Sequence, residues 1–220
     1  MKIGILGSGV VGFTIANAVL AKGHEVMIGS RTPNHEKTTA WSKEQGAHAL
    51  HGTFKETALW GELLFLCVNG SVVRSVLELT EAGSCKDKVL IDLTNPLDFS
   101  KGMPPSLLPE YSNHYSLGEF VQEQLPGAKV VKALNTVNCK LMVDANLVND
   151  GQHHLFLCGN DTEAKNTVKH FLAEQFNWKP DYLLDFGTIE AARLTEGIVP
   201  FWVGAMKVLD TPLFNYLIVK

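Results

Sequence analysis

The chain has 220 residues, 45% of them hydrophobic and 19% charged, with a formal net charge of −4. This composition predicts a packed globular core and excludes a disordered chain, and it offers no basic face for nucleic acid. The longest apolar runs, such as residues 63–68, are too short to cross a bilayer, and the N-terminus lacks the features of a signal peptide. We therefore expect a cytoplasmic protein with no membrane or nucleic-acid partner.

Short apolar runs alternate with longer segments of helical spacing along most of the chain. The predicted strands span residues 2–6, 25–28, 47–50, 63–68, 89–92, 130–133, 154–160 and 182–185. The predicted helices span residues 11–21, 37–45, 72–79, 116–125 and 162–174. Because the strands are continuously apolar, they are expected to be buried on both faces of a parallel sheet. The fold class predicted is α/β, a Rossmann-type doubly wound, mostly parallel sheet.

The first strand is followed by the sequence Gly7-Ser8-Gly9-Val10-Val11-Gly12. Its GxGxxG spacing, between a predicted strand and a predicted helix, indicates a dinucleotide-binding turn. The first glycine makes the tight turn, the second lets the backbone approach the pyrophosphate, and the third lets helix and strand pack closely. The pyrophosphate would accept hydrogen bonds at the positive end of the helix.

The end of the second strand predicts which dinucleotide binds. An acid at this point would bond the ribose hydroxyls of NAD, but the sequence continues with Ser30, Arg31 and Thr32 instead. The Arg31 guanidinium suits a phosphate, the two hydroxyls can assist it, and Lys37 adds a nearby positive charge. The cofactor predicted is therefore NADP(H) rather than NAD(H).

Three further strand ends carry small or polar residues that are expected to line the nicotinamide half of the groove. In open α/β sheets, ligands bind outside the carboxyl ends of the strands. The residues concerned are Val68, Asn69, Gly70, Asn95, Pro96, Ala133 and Asn135. Asn95 and Asn135 could meet the ribose or the carboxamide, although each could equally be an asparagine in a turn or a helix cap.

The remaining candidates for chemistry are weak, and no catalytic residue is predicted. His114 lies in a proline-rich connection over residues 95–128, which is either a mobile cover or a plain long loop. His153 and His154 lack a third metal ligand, and no two of the four cysteines have CxxC spacing. We expect buried reduced thiols and no metal site.

The C-terminal segment differs from the rest, since it is apolar on nearly all sides and interrupted by Pro200 and Pro212. It must pack on the sheet domain or on a second copy of the chain. The predicted division is a nucleotide-binding domain over residues 1–186 and a small, mainly helical appendage over residues 187–220. The appendage is expected to form a homodimer.

With these residues assembled, the chain resembles the NADP-dependent coenzyme-deazaflavin oxidoreductases, a family that includes the nucleotide-binding domain of six-transmembrane ferric reductases. The resemblance rests on the glycine turn, "GSR" at 29–31, "DLTNP" at 92–96, "KALNT" at 132–136, "DFGTIEAARLTE" at 185–196 and the terminal "FNYLIVK". It implies an NADPH-dependent reductase with a small-molecule redox acceptor, a flat ring such as a deazaflavin or flavin. The acceptor would lie directly on the nicotinamide, in a substrate cleft closed by the appendage over residues 187–220. It also implies that Arg193 and Glu196 brace the C-terminal helix rather than act in chemistry.

Two alternatives stay open at this stage. One is an imine reductase similar to pyrroline-carboxylate reductases, although the 34 residues from Gly187 are few for the longer helical domain of those enzymes. The other is a redox-sensing module that binds NADPH without turnover.

Overall fold

The fold is described for residues 1–219 by a computed structural model. Its main sheet has eight strands in the order β10-β9-β8-β5-β4-β1-β2-β3, and a separate hairpin pairs β6 with β7. In chain order, the strands are β1 (Lys2–Leu6), β2 (Glu25–Ser30), β3 (Ala49–Thr53), β4 (Leu63–Leu66), β5 (Val89–Asp92), β6 (Leu97–Asp98), β7 (Ser106–Leu107), β8 (Lys129–Ala133), β9 (Leu155–Gly159) and β10 (Leu183–Asp185). The six neighbouring strands β8-β5-β4-β1-β2-β3 of this sheet are parallel to one another, and β9 is antiparallel to β8.

Helices cover both faces of the sheet. In chain order, they are α1 (Val10–Ala21), α2 (Glu36–Gln45), α3 (Phe54–Trp60), α4 (Val73–Thr80), α5 (Leu117–Gln124), α6 (Cys139–Val143), α7 (Thr162–Phe176), α8 (Ala192–Gly197) and α9 (Val199–Leu209). Buried side chains of α1, α2, α6 and α7 share one hydrophobic cluster, and those of α3, α4, α5 and α8 share the other. The sheet separates the two clusters, as in a doubly wound fold.

The predicted fold class is confirmed, including the helical C-terminal segment. All eight predicted strands are present, with ends shifted by a few residues. Two helices were not predicted. Helix α3 begins directly after β3 with a capping box. The Thr53 hydroxyl accepts a hydrogen bond from the Glu56 backbone N–H, and the Glu56 carboxylate accepts one from the Thr53 backbone N–H. Helix α6 has only five residues, too few for a periodic signal.

Pro200 marks a helix start rather than an interruption inside a helix. It lies in the first turn of α9, where its missing N–H would have no partner in the helix. Ile198 both ends α8 and begins α9, so the two helices follow each other without a loop. Among the helices of residues 1–219, none combines the length and the apolar character that a membrane span requires.

Candidate functional site

The carboxyl ends of β1, β2, β4, β5 and β8 meet at one edge of the sheet, because these strands are parallel neighbours. Two adjoining cavities open there. We call them the Arg31 cavity, of about 340 Å³, and the Trp202 cavity, of about 420 Å³. Residues that line both cavities are Gly9, Cys67, Val68 and Asn69. The cavities are therefore two halves of one groove along the strand ends.

The three glycines of the first turn have different surroundings. Gly7 has a φ of +138°, and a Cβ there would lie 2.4 Å from the Cys67 carbonyl oxygen. A Cβ on Gly12 would lie 2.1 Å from the Gly7 carbonyl oxygen, so α1 and its strand can pack this closely only with glycine. A Cβ on Gly9 would meet nothing within 4 Å. Gly9 thus leaves open space at the N-terminus of α1, where backbone N–H groups lack helical partners.

The end of β2 places one cation at the Arg31 cavity. Arg31 lines it, is exposed, and forms no ion pair within residues 1–219. The Ser30 hydroxyl also lies at this cavity, but it already donates to the Thr32 carbonyl at 2.6 Å. Thr32 and Lys37 are exposed and line neither cavity, whereas His35, which sequence reasoning missed, does line the Arg31 cavity.

The predicted residues at the ends of β4, β5 and β8 are brought together. Val68, Asn69, Gly70, Asn95 and Asn135 all line the Trp202 cavity, while Pro96 and Ala133 are buried behind it. A Cβ on Gly70 would lie 2.1 Å from the Asn95 carbonyl oxygen, so these two strand ends touch only because residue 70 is glycine.

The two predicted asparagines bind each other. The Asn95 amide donates to the Asn135 carbonyl at 2.8 Å, and the Asn135 amide donates to Asn95 Oδ1 at 2.9 Å and to the Thr195 carbonyl at 3.1 Å. Both Asn135 amide hydrogens and one Asn95 amide hydrogen are thus used in joining β5, β8 and α8. What remains for a ligand on Asn135 is the Oδ1 acceptor, which is buried and unpartnered among the residues described.

The Trp202 cavity is mainly apolar and carries no Asp, Glu, Lys, Arg or His among its lining residues. Helix α9, part of the segment predicted to close the substrate cleft, contributes Val199, Trp202 and Val203, which the sequence analysis did not assign to the site individually. Thr136 and Trp202 both line the cavity. The Thr136 hydroxyl and the Trp202 indole N–H are buried, and neither has a hydrogen-bond partner within residues 1–219. The thiol of Cys67 is also buried, and burial raises its pKa, so it stays protonated.

A buried ionic network lies beneath this edge. Lys132 Nζ on β8 is 2.9 Å from Asp92 Oδ2, 2.8 Å from Glu196 Oε1 and 2.6 Å from the Thr94 carbonyl oxygen, and the three charged side chains are at most 1% exposed. Burial alone would lower the pKa of Lys132, but the two carboxylates outweigh it and raise the pKa. The network fixes residues next to Asn95 and Asn135.

The same network attaches the C-terminal helices. The Glu196 carboxylate accepts hydrogen bonds from the backbone N–H groups of Leu117 and Gly118, both at 2.9 Å, at the start of α5. Arg193 binds the Glu119 carboxylate with two nitrogens. The two residues therefore brace the C-terminal segment against α5 and β8, each with a partner outside α8 rather than with each other. Helix α9 starts three residues after Glu196, so this attachment sets its place over the cavity.

No group of three or more His, Cys, Asp and Glu side chains within residues 1–219 is arranged to hold a metal ion. His153 and His154 instead bind the C-terminal chain, and His114 is exposed and lines neither cavity.

Comparison with known proteins identifies the family. Residues 2–96 match the family model described as NADP oxidoreductase, coenzyme F420-dependent. A crystal structure from Arthrobacter sp. FB24, provisionally described as an F420-dependent NADP reductase, is 39% identical, with complete coverage of both chains and a TM-score of 0.91. The chain belongs to this family of NADP-dependent oxidoreductases. The predicted family and enzyme class are thereby confirmed.

Two other relatives show how far the similarity extends. Metalloreductase STEAP3 of Rattus norvegicus is 30% identical over 206 residues, which is 91% of this chain but 38% of that protein. The chain thus spans about two fifths of the curated relatives that it matches. An imine reductase from Aspergillus terreus, in complex with NADPH4, has a TM-score of 0.64 at 20% identity, covering 95% of this chain and 62% of that one. At that identity the likeness shows the shared fold alone.

Proposed function

We propose that the protein binds NADPH along the strand-end groove and reduces a flat redox acceptor, such as a deazaflavin or flavin, by hydride transfer. The observation that carries this proposal is the pair of adjoining cavities. One has the turn Gly7–Gly9 and a cation, Arg31, that is unpaired within residues 1–219. The other is mainly apolar and includes the first residues of α1, and the two share Gly9, Cys67, Val68 and Asn69. A molecule with a charged end and a neutral redox ring fits such a groove.

The residues at the Arg31 cavity fit a phosphorylated dinucleotide. The open space at Gly9 leaves room for a pyrophosphate against the first N–H groups of α1, whose first turn has no acidic residue to repel it. Arg31 would bind the 2′-phosphate, with Ser30 and His35 beside it. When bound, NADPH would supply the hydride.

The Trp202 cavity fits an uncharged acceptor ring. Its lining offers no acid or base, so these residues would act by orienting the ring and excluding water. The unpartnered polar atoms of Asn135, Thr136 and Trp202 lie on lining residues but are closed to solvent, so these side chains would turn to bond a carboxamide or a ring carbonyl.

Replacing Arg31 with alanine should narrow the preference for NADPH over NADH. A charge-assisted hydrogen bond contributes roughly 1.5–3 kcal/mol, so the wild type should bind NADPH roughly 10- to 150-fold more tightly than NADH. Isothermal calorimetry with both nucleotides measures the ratio. Lys22→Ala, which removes a cation from the opposite end of α1, is the charge-matched control and should leave the ratio unchanged. Equal affinities in the wild type would refute the cofactor assignment.

A panel of acceptors separates the candidate functions. The protein and NADPH are mixed with flavins, a deazaflavin, quinones, ferric chelates and cyclic imines, and loss of NADPH absorbance is followed. Turnover with flat rings supports the proposal, and turnover with imines alone would favour an imine reductase. Tight binding of NADPH without turnover would favour a redox-sensing module.

We also propose a homodimer formed through the C-terminal segment. Phe201, Val208 and Val219 are 65%, 85% and 82% exposed, and Leu209, Leu217 and Ile218 are each more than half exposed. So many exposed apolar side chains in one terminal segment favour a protein partner, and a second copy of the chain would cover them. Light scattering should give twice the chain mass, and Val208→Glu should give the monomer. A monomeric wild type at micromolar concentration would overturn this assignment.

The proposed location is the cytoplasm. The four cysteines are free, and three of them are buried, as is usual in a reducing compartment.

A further inference from the structure

The chain after α9 folds back against the start of β9. We call residues 211–219 the C-terminal strap. The His154 amide donates to the Tyr216 carbonyl at 2.8 Å, and the Ile218 amide donates to His154 Nδ1 at 3.0 Å. The Asn215 side-chain amide donates to the His154 carbonyl at 2.8 Å and lies 2.7 Å from His153 Nδ1. Asn215 is thus the polar centre of the attachment.

The hydrogen bonds fix the protonation of both histidines. His153 Nε2 lies 2.9 Å from the Ala145 carbonyl and must donate to it, which leaves Nδ1 to accept from Asn215. The Asn215 amide cannot be reversed without placing its oxygen against the His154 carbonyl. His154 Nδ1 likewise accepts from the Ile218 amide. Both imidazoles therefore bind the strap in their neutral form.

The strap also supports the helix that lines the Trp202 cavity. Phe214 stacks on Trp202 with ring centroids 5.2 Å apart and planes 15° apart. The Tyr216 ring packs beside the rings of Phe156 on β9 and Phe201 on α9, with centroid distances of 6.0 and 6.3 Å. Asn215 lies between Phe214 and Tyr216 in sequence, so its hydrogen bonds hold both rings in register. Stacking of this kind restricts the orientation of the indole ring.

We propose that Asn215 is a positioning residue, which holds Trp202 in place as a wall of the acceptor site through the neutral His153 and His154. Asn215 does not line the cavity itself and acts through the Phe214–Trp202 stack. This inference rests on the proposed function of the cavity. It assigns the C-terminal strap a role at the ring end of the groove, and none at the phosphate end, because the strap does not line the Arg31 cavity.

The attachment depends on pH with a defined sign. Burial lowers the pKa of His153. The nearby His154 and Lys179 lower this pKa further, whereas hydrogen bonds to the carbonyls of Ala145 and Val148 act to raise it. Against His154 lie the Tyr182 ring and the strap itself. Since the folded pKa of His153 is below its ordinary value of about 6.5, the strap is fully held above that pH. Its hold weakens as the pH falls from there towards the folded pKa, because a protonated Nδ1 would face the Asn215 donor.

Hydrogen exchange and steady-state kinetics together test the proposal. In Asn215→Ala the His154, Ile218 and Trp202 amides should exchange at least about tenfold faster, because two strap hydrogen bonds are lost. The KM for the acceptor should rise at least about fivefold, and the KM for NADPH should rise less, because the NADPH phosphates bind at the Arg31 cavity, away from the strap. The same amides of the wild type should lose protection between about pH 7 and about pH 5.5, after correction for the intrinsic rate. The control is Thr211→Ala, which alters the strap away from the histidines.

Unchanged amide exchange in Asn215→Ala would overturn the proposal. It would also be overturned if the His154 and Ile218 amides exchanged faster while the Trp202 amide and the acceptor KM did not change. If the wild type reduces no acceptor at all, the proposed function fails. Exchange at the Trp202 amide then still decides whether Asn215 positions this helix.

Discussion

Replacing Lys132 with methionine should lower the free energy of unfolding by about 3–5 kcal/mol. The substitution keeps the length of the side chain but leaves Asp92 and Glu196 as buried carboxylates without their ammonium partner. Both are essentially inaccessible to water, so neither can be solvated in the native fold. Urea unfolding followed by circular dichroism measures the change.

A second lysine on the same strand provides the control. Lys129 pairs with Asp161 at 3.2 Å, but its side chain is 43% exposed, so Lys129→Met should change stability little. Adding Asp92→Asn and Glu196→Gln to Lys132→Met should recover part of the loss, because the uncompensated charges are then removed. If Lys132→Met were no less stable than Lys129→Met, the ionic network would not be what holds the C-terminal helices on the sheet.

Replacing Gly9 with valine should raise the dissociation constant for NADPH at least about 100-fold, with the fold retained. Gly9 has φ −90° and ψ −177°, a conformation open to valine, and a side chain there would enter the space at the N-terminus of α1. It would therefore displace the pyrophosphate from the helix N–H groups. The change at a helix N-cap should cost about 1 kcal/mol of stability.

Two other glycines separate binding from folding. Gly83 also has nothing within 4 Å of an added Cβ but lies in a short 3-10 helix, Ala82–Cys85, outside both cavities, so Gly83→Val should leave NADPH affinity intact. Gly12→Ala should instead destabilise the protein, since the added carbon would clash with the Gly7 carbonyl oxygen. Normal NADPH binding by Gly9→Val would rule out the proposed cradle for the pyrophosphate.

The fold and the position of the groove could be predicted because their signals are local. Continuous apolar runs mark the strands, and the glycine spacing marks the turn between β1 and α1. The parallel arrangement then places the ends of β4, β5 and β8 beside that turn. The division into domains at residue 186 and the binding roles of individual residues stay predictions.

What could not be predicted depends on contacts between distant segments. In the sequence, Lys132 stands among the apolar residues of a strand. Nothing near it in the sequence shows that the carboxylates of Asp92 and Glu196 both pair with its ammonium group. The contribution of Trp202 to the cavity depends in the same way on where α9 is attached. Thr32 and Lys37 show the opposite case, since both have suitable chemistry beside Arg31 but line neither cavity.

The most direct test of the central claim uses NADPH deuterated at the hydride-donating carbon of the nicotinamide. The protein is mixed with this cofactor and each flat acceptor in turn, and the reduced acceptor is analysed by mass spectrometry under anaerobic conditions. We expect at least one acceptor to be reduced with deuterium on its ring and with a slower rate than with unlabelled NADPH. For a deazaflavin the label should persist, and for a flavin it must be read from the rate alone because the transferred hydrogen exchanges with water. Tight NADPH binding with no acceptor reduced would contradict the account, as would a reduced deazaflavin that carries no deuterium.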